Sequence, residues 1–289
     1  MDLLKLPTAQ VSAAAKLSPI QFRRLRDMVY EHAGLFYEDS KQYFVEKRVE
    51  RRMEVIGTMN PDEYLRRLDA DIGRTELHNL IEELTVKETY FFRDLPQLDG
   101  FSQKVLPRLI AAKRQAGNLT LRIWSAACST GEEPYTLAII VRQALPDLAD
   151  WRVEVLATDV DRDALRAAHR GSYGARSVKD VPPHLLRDCF TLAEGKWHVA
   201  PDIRKLVSVQ QVNLIDKQVM RRMRGFDIIF CRNVLIYFDD SSRRLTLGYF
   251  YDALDPGGYV FLGHSESVGR ITAAFRIQRL DDFLCYSKQ

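Results

Sequence analysis

The sequence predicts an α/β protein in which a helical N-terminal region precedes a mainly parallel sheet covered by helices on both faces. Three observations carry this. Helix start and stop signals punctuate the chain up to about residue 100. From Leu119 onward, short β-rich runs alternate with helical stretches, as a parallel sheet requires. The final run, FRIQRLDDFLCYSK, reads as an antiparallel pair closing one edge.

The helical signals come in order. Ser18, Pro19 and Gln21 supply an N-cap, a first-turn proline and a capping-box partner; Phe22, Leu25 and Val29 form an apolar face, and Gly34 stops the helix. A second helix is expected from about Lys41 to Ile56, with Val45, Val49, Met53 and Ile56 on one side and Gly57 after it. Asn60, Pro61 and Glu63 repeat the capping signal before EYLRRL, and Gly73 separates that helix from TELHNLIEELTV. These pieces define a helical N-terminal domain over 1–100, with one more helix over 101–118 leading away from it.

The remaining residues, 119–289, form the α/β domain. Its expected strands are LTLRIWSAA, WRVEVLATD, LVSVQQVN, FDIIFCRN and YVFLGH, and the helix before the last is expected to end in LDPGG at Pro256 and Gly257. Residues of about 171–205 do not fit the alternation. Their turn residues and hairpin-like pattern read as a small β insertion.

Composition narrows the function. In 289 residues, 46% hydrophobic and 28% charged, 42 basic and 39 acidic side chains leave a net charge of +3, so nothing in the total calls for nucleic acid or an anionic membrane. The cysteines Cys128, Cys189, Cys231 and Cys285 are far apart and show no metal-ligand spacing, which predicts buried thiols, a reducing compartment and no metal site. The N-terminal MDLLKLPTAQVSAAAK lacks a long apolar region, and nowhere do about 18 apolar residues run together. A cytoplasmic protein is the expectation.

The candidate site lies at the strand ends. In an open parallel sheet, ligands bind beyond the C-terminal ends of the strands, near the point where strand order reverses. The loop after the first strand, within WSAACSTGEEP, holds Ser125, Ala126, Ala127, Ser129 and Gly131, small residues that would admit a ligand close to the backbone; packing alone is the competing reason. A helix N-terminus there would ordinarily favour a phosphate, yet Glu132 and Glu133 occupy it. Either could simply complement the helix dipole. Together they repel phosphate and attract a cation.

Asp159 ends the second strand, 28 residues after Gly131, where a carboxylate can accept both hydroxyls of a ribose; the plainer alternative is a cap for the next helix. A nucleoside with a positive charge satisfies both features, and S-adenosylmethionine is one. Asn213 after VQQV, and Arg232 with Asn233 after FDIIFC, put further polar groups on the same rim, where local backbone satisfaction would also explain them. In LTVKETYFFRD, Tyr90, Phe91 and Phe92 are core residues by pattern, and Thr89 and Arg93 are surface or cap residues. Their place just before the α/β domain would let the segment cover a pocket.

KETYFFRD, WSAACSTGEEPYTLA, ATDVD, VNL, FCRNVLIYF and LDPGGYVFLGHSES, in this order and spacing, resemble the CheR-type chemotaxis receptor methyltransferases over nearly the whole chain. The resemblance implies an all-α N-terminal domain and a Rossmann-like, seven-stranded S-adenosylmethionine methyltransferase domain with a small β-subdomain insertion. It further implies methyl transfer to side-chain carboxylates of glutamates in methyl-accepting chemotaxis receptors, with S-adenosylhomocysteine as the second product and no metal. By this resemblance Thr89, Arg93 and Glu132 contact the cofactor, Asp159 holds its ribose, and Asn213 and Leu214 form the adenine pocket. Arg232 and Asn233 lie beside it, and Tyr237 faces the substrate. Lys87 stands where some members carry a cofactor-contacting asparagine.

Glutamate is already ionised near neutral pH, so no catalytic base is required, and alignment and removal of water from the carboxylate carry the reaction. Arg93 and Arg232 are candidates for steering that anion, with cofactor binding as the competing role. The cations Lys41, Lys47, Arg48, Arg51 and Arg52 could dock an acidic receptor helix; interleaved Glu46, Glu50 and Glu54 would instead give ordinary i,i+4 pairs. AEGKWHVAPD is short for the loop with which some members grip a receptor's C-terminal peptide, so no tight tether binding is expected, and the chain is expected to act as a monomer. An RNA methyltransferase would need a basic face. A cofactor-sensing module without turnover would show an intact cofactor set and no methyl transfer; the sequence shows no loss at the cofactor positions.

Overall fold

The computed structural model describes residues 16–72, 74–268, 272–280 and 283–289. Gly73 and nearly all of MDLLKLPTAQVSAAAK therefore lie outside the described residues. The chain divides into two compact units: one runs through Glu31 and resumes over Tyr37–Leu84, and the other holds His32–Phe36 and Thr85–Gln289.

The helical unit is built on α1 (Pro19–Ala33), α2 (Gln42–Ile56), α3 (Pro61–Ala70) and α4 (Thr75–Leu84). Its first cap is the expected box: Ser18 N donates to Gln21 Oε1 at 2.8 Å and Gln21 N to Ser18 Oγ at 3.3 Å, satisfying two otherwise orphaned donors. Asn60 caps α3 by accepting from Asp62 N, while Glu63 takes the Thr58 hydroxyl. Phe22, Leu25, Val29, Val45, Val49 and Met53 are all at most 2% exposed, so the i, i+3/i+4 faces read from the sequence are the buried ones.

The second unit carries α5 (Leu95–Gly100), which passes through a π-helical turn at Phe101–Val105 into α6 (Leu106–Gln115). The helix expected from residue 101 thus starts at Leu95. The central strands follow: β1 (Thr120–Ala126), α7 (Glu132–Ala144), β2 (Arg152–Asp159) and α8 (Arg162–Arg170). Then come β3 (Ser172–Tyr173), α9 (Pro183–Cys189), β4 (Phe190–Ala193), β5 (Lys196–Val199), α10 (Pro201–Arg204), β6 (Val207–Gln211), α11 (Lys217–Met220) and β7 (Phe226–Cys231). Finally α12 (Asp240–Ala253) leads to β8 (Leu254–Leu262), β9 (Arg276–Leu280) and β10 (Phe283–Ser287).

The large sheet has seven strands in the order β6-β2-β1-β7-β8-β10-β9. The first five are parallel, and β10 runs antiparallel to both β8 and β9, giving the closing pair expected from the sequence. Every residue of β7 is buried, as a central parallel strand covered on both faces requires. Phe230 and Phe261 stack with centroids 4.5 Å apart, and Phe101 meets both edge-on.

Two local expectations are corrected. The helix before β8 ends at Ala253, and LDPGG belongs to the strand: Leu254 already pairs with Phe226 across a register shift that absorbs Pro256 and the left-handed Gly257. The insertion is a separate three-stranded sheet of order β3-β5-β4, and its hairpin turns on Glu194 and Gly195, both at positive φ as a type I′ turn demands.

Candidate cofactor and methyl-transfer site

The C-terminal ends of β6, β2, β1 and β7 are adjacent in the sheet, so the polar groups singled out in the sequence share one rim. Strand order reverses at β1, with β2 on one side and β7 on the other, which makes the loop after β1 the switch point. That loop is tightly wound. Ala127 and Ser129 adopt positive φ, Cys128 N donates to Thr158 O at 2.8 Å, and Gly131 (φ 98°) precedes α7. A Cβ on Gly131 would fall 2.7 Å from Ala168 Cβ and 2.8 Å from the Tyr173 hydroxyl. At Gly131 it is therefore packing between the loop, α8 and β3, the competing reason for its small size, that requires glycine.

Asp159 is 8% exposed and accepts two backbone bonds: Ser129 N to Oδ2 at 2.8 Å and Asp161 N to Oδ1 at 2.9 Å. Burial pushes its carboxyl up to about 6, against the pull of the Asp161, Ser129 and Val160 N–H groups. Helix α8 is capped by Asp161, which accepts from Ala164 N at 2.8 Å, so capping does not explain Asp159. With about four lone-pair positions, the Asp159 carboxylate keeps acceptor capacity for a hydroxyl donor beyond these backbone groups.

Glu132 is 2% exposed and takes hydroxyl donors on both oxygens, Thr130 Oγ1 at 2.6 Å and Ser177 Oγ at 3.0 Å. Its carboxyl is also pushed up by burial, with the two hydroxyls opposing. Glu133 accepts from Ser125 Oγ and from Arg232 Nε, both at 2.7 Å, and the ion pair is largely buried. Arg232 also donates to the Arg93 carbonyl at 2.9 Å and lies 3.4 Å from Gln97 Oε1. Its guanidinium thus ties the end of β7 to the segment before α5. That leaves Arg93 as the more accessible of the two arginines.

The KETYFFRD segment is anchored at several points. Phe91 packs edge-on against Tyr173 and Phe190, Phe91 N donates to Ser177 O, and Phe92 N to Thr136 Oγ1. Lys87 Nζ sits 2.5 Å from Asp161 Oδ2, one turn from Asp159. Thr89 is half-buried on the same segment. Arg93 donates to the Glu88 carbonyl, and its charge opposes the burial that raises the Tyr237 phenol, so these two residues are electrostatic neighbours. Asn213 donates to the His32 carbonyl and accepts from Ile215 N, while Leu214 beside it is buried and apolar. Asn233, at φ 60°, follows Arg232.

The donor set can be tested against an adenosine with a cationic methionine tail. Two buried carboxylates whose protonation is favoured by desolvation need positive or donor groups, and Ser129 Oγ is buried without a hydrogen-bond partner in the loop between them. The residues fit such a ligand. Ser177 and Gln97 were missed in the sequence because neither lies in a strand-end motif; their roles come from elements folding back onto the rim.

Fold and site define a nucleoside-binding α/β domain of the methyltransferase class. The chain belongs to the CheR methyltransferase family: the family's S-adenosylmethionine-binding domain matches residues 87–283 and its all-alpha domain residues 20–85. It is similar to chemotaxis protein methyltransferase 2 of Vibrio cholerae, 40% identical over 94% of each chain. The chemotaxis protein methyltransferases of Salmonella typhimurium (34%, 94% of each chain) and Borreliella burgdorferi (33%, 86% of this chain and 88% of the other) are further relatives.

Proposed function

We propose that this protein transfers the methyl group of S-adenosylmethionine to side-chain carboxylates of specific glutamates in methyl-accepting chemotaxis receptors, giving glutamate methyl esters and S-adenosylhomocysteine in the cytoplasm. The observation that carries this reading is the pairing of a buried acidic cradle, Glu132 and Asp159, with arginines on the same rim, within a chain 40% identical to a chemotaxis protein methyltransferase.

When bound, S-adenosylmethionine supplies a methyl group made electrophilic by its sulfonium. Asp159 accepts ribose hydroxyls, Leu214 with Asn213 walls the base, and Glu132 faces the cationic tail. Lys87 and Thr89 stand beside the cradle. Arg93 steers the incoming carboxylate and Tyr237 borders it. A carboxylate nucleophile needs no proton removed, so the chain's part is to align the reactants and exclude water. Arg232 and Asn233 border the cradle on the side from which that carboxylate arrives.

The receptor would approach as an acidic helix. Lys41, Lys47 and Arg51 are exposed, whereas Arg52 is engaged bidentately by Glu76 and Arg48 lies over the Phe44 ring at 3.5 Å. Arg51 reaches Glu83 at 3.7 Å. The ion pairs of this helix thus run to α4 rather than forming the expected i,i+4 ladder with Glu46, since Glu46 accepts from Leu17 N and Gln42.

The test supplies methyl-labelled S-adenosylmethionine and receptor-containing membranes. Label in the receptor that mild base releases as methanol is the expected result. Base-stable label, or none, overturns the reading.

A further inference from the structure

The carboxylate of Glu266, in the LGHSES stretch after β8, gathers main-chain donors from two strand ends. Oε2 accepts from Gly263 N at 2.6 Å and Asn233 N at 3.0 Å; Oε1 accepts from Val234 N at 2.9 Å and Ile236 N at 3.3 Å. Hydrogen bonds to an ionised acceptor are shorter and stronger than neutral ones. One side chain therefore fixes most of the turn that leaves β7.

The local backbone is built around this contact. A Cβ on Gly263 would lie 2.7 Å from Glu266 Oε2 and 2.8 Å from Asn233 N, so the approach of the two strand ends requires glycine there. Asn233 sits at φ 60°, in the left-handed region that asparagine adopts more readily than other non-glycine residues, which suits the sharp exit from β7. The turn then runs on through Leu235–Tyr237, closed by Tyr237 N to Val234 O at 3.0 Å.

The position of the clamp gives it a consequence for the reaction. On one side of the turn, Arg232 joins Glu133 and the Arg93 carbonyl. Glu266, together with the Gln97 that meets Arg232, also lines a cavity of about 660 Å³ that reaches His264, Arg279 and Phe283 over the β8, β9 and β10 ends. The cofactor candidates come from the β6-β2-β1-β7 half of the sheet and this cavity from the other half. Glu266 thus faces the cavity while its carboxylate holds the turn that follows β7.

We infer that Glu266 is a positioning residue for methyl transfer: by holding residues 233–237 in place it sets Asn233 and Tyr237 against the reacting groups. This rests on the reading that the turn borders the methyl-transfer site. Among the described residues, these hydrogen bonds to Glu266 all come from backbone N–H groups, so its effect is exerted through the turn.

The test replaces Glu266→Gln in the full chain, with wild type run alongside on S-adenosylmethionine and receptor membranes. Either amide orientation turns an –NH2 toward two of the bound N–H groups. The kcat of the folded variant is expected to fall about 100-fold, as misplacement by an ångström does, while KM for S-adenosylmethionine moves less than about threefold. Glu266→Asp, which keeps both acceptors on a shorter arm, is expected to recover part of the rate. A folded Gln variant with wild-type kcat overturns the inference, as does a rate lost only in proportion to the folded fraction. Should the Gln variant not fold, Gly263→Ala crowds the same carboxylate, and a wild-type kcat there overturns it equally. Wild type without base-labile methylation defeats the proposed reaction instead, so the two failures are told apart.

Discussion

Asp159→Ala probes the site at one of its buried carboxylates. The carboxyl is pushed up to about 6 from an ordinary 3.8, chiefly because burial disfavours its charged form. A shift of about two pK units corresponds to about 3 kcal/mol between protonation states. The native protein holds this proton more tightly than the unfolded chain does. Its contribution to stability is therefore fully present below about pH 4 and is lost as pH rises through about 6. Above that, the ligand-free protein carries a buried carboxylate that hydroxyl donors would relieve, at about 1.5–3 kcal/mol for each bond to the charged group. Losing two such bonds should weaken S-adenosylmethionine binding by at least about 100-fold. Calorimetric titration from pH 5 to 8 checks both consequences: wild-type affinity should fall about tenfold per unit below pH 6, and the alanine variant should be weak and flat in that window. Relative to wild type, the ligand-free variant should also gain about 3 kcal/mol between pH 4 and pH 8 in denaturant unfolding. Unchanged affinity in Asp159→Ala, or a wild-type affinity flat across pH 6, refutes the reasoning.

Two other outcomes follow from the same geometry. Arg232→Met leaves Glu133 as a buried carboxylate without its cation and should destabilise the fold by about 3–5 kcal/mol, most of it recovered by adding Glu133→Gln; purely additive losses in denaturant melts would contradict the pairing. A peptide from a receptor's extreme C-terminus should show no heat of binding at micromolar concentration, because the turn between β4 and β5 is only Glu194 and Gly195; a Kd of about 1 μM or tighter would reverse that expectation.

What could be read from the sequence was what is local or periodic. The Ser18–Gln21 capping box closes within one turn, and the buried faces of α1 and α2 repeat at helical spacing, so no knowledge of the remaining chain is needed to place them. Strand ends were legible for a related reason: a polar residue after an apolar run is visible wherever the strand sits, which is how Asp159, Asn213, Arg232 and Asn233 were found on one rim.

Interactions fixed by strand order were not legible. Arg232 meets Glu133 across 99 residues because β7 lies beside β1, and a single sequence does not state that neighbour relation. Ser177 reaches Glu132 only because the β insertion folds back over α7. Glu266 is the extreme case. As a lone acid in a turn it resembles any surface carboxylate, and its significance exists only once β8 is placed next to β7 and four N–H groups converge on it. Gly131 errs in the other direction: its small size was visible, but the close atoms belong to Ala168 and Tyr173. Small residues in a loop report that something is near. What is near depends on the elements the fold brings there, and here those elements lie more than 35 residues further along the chain.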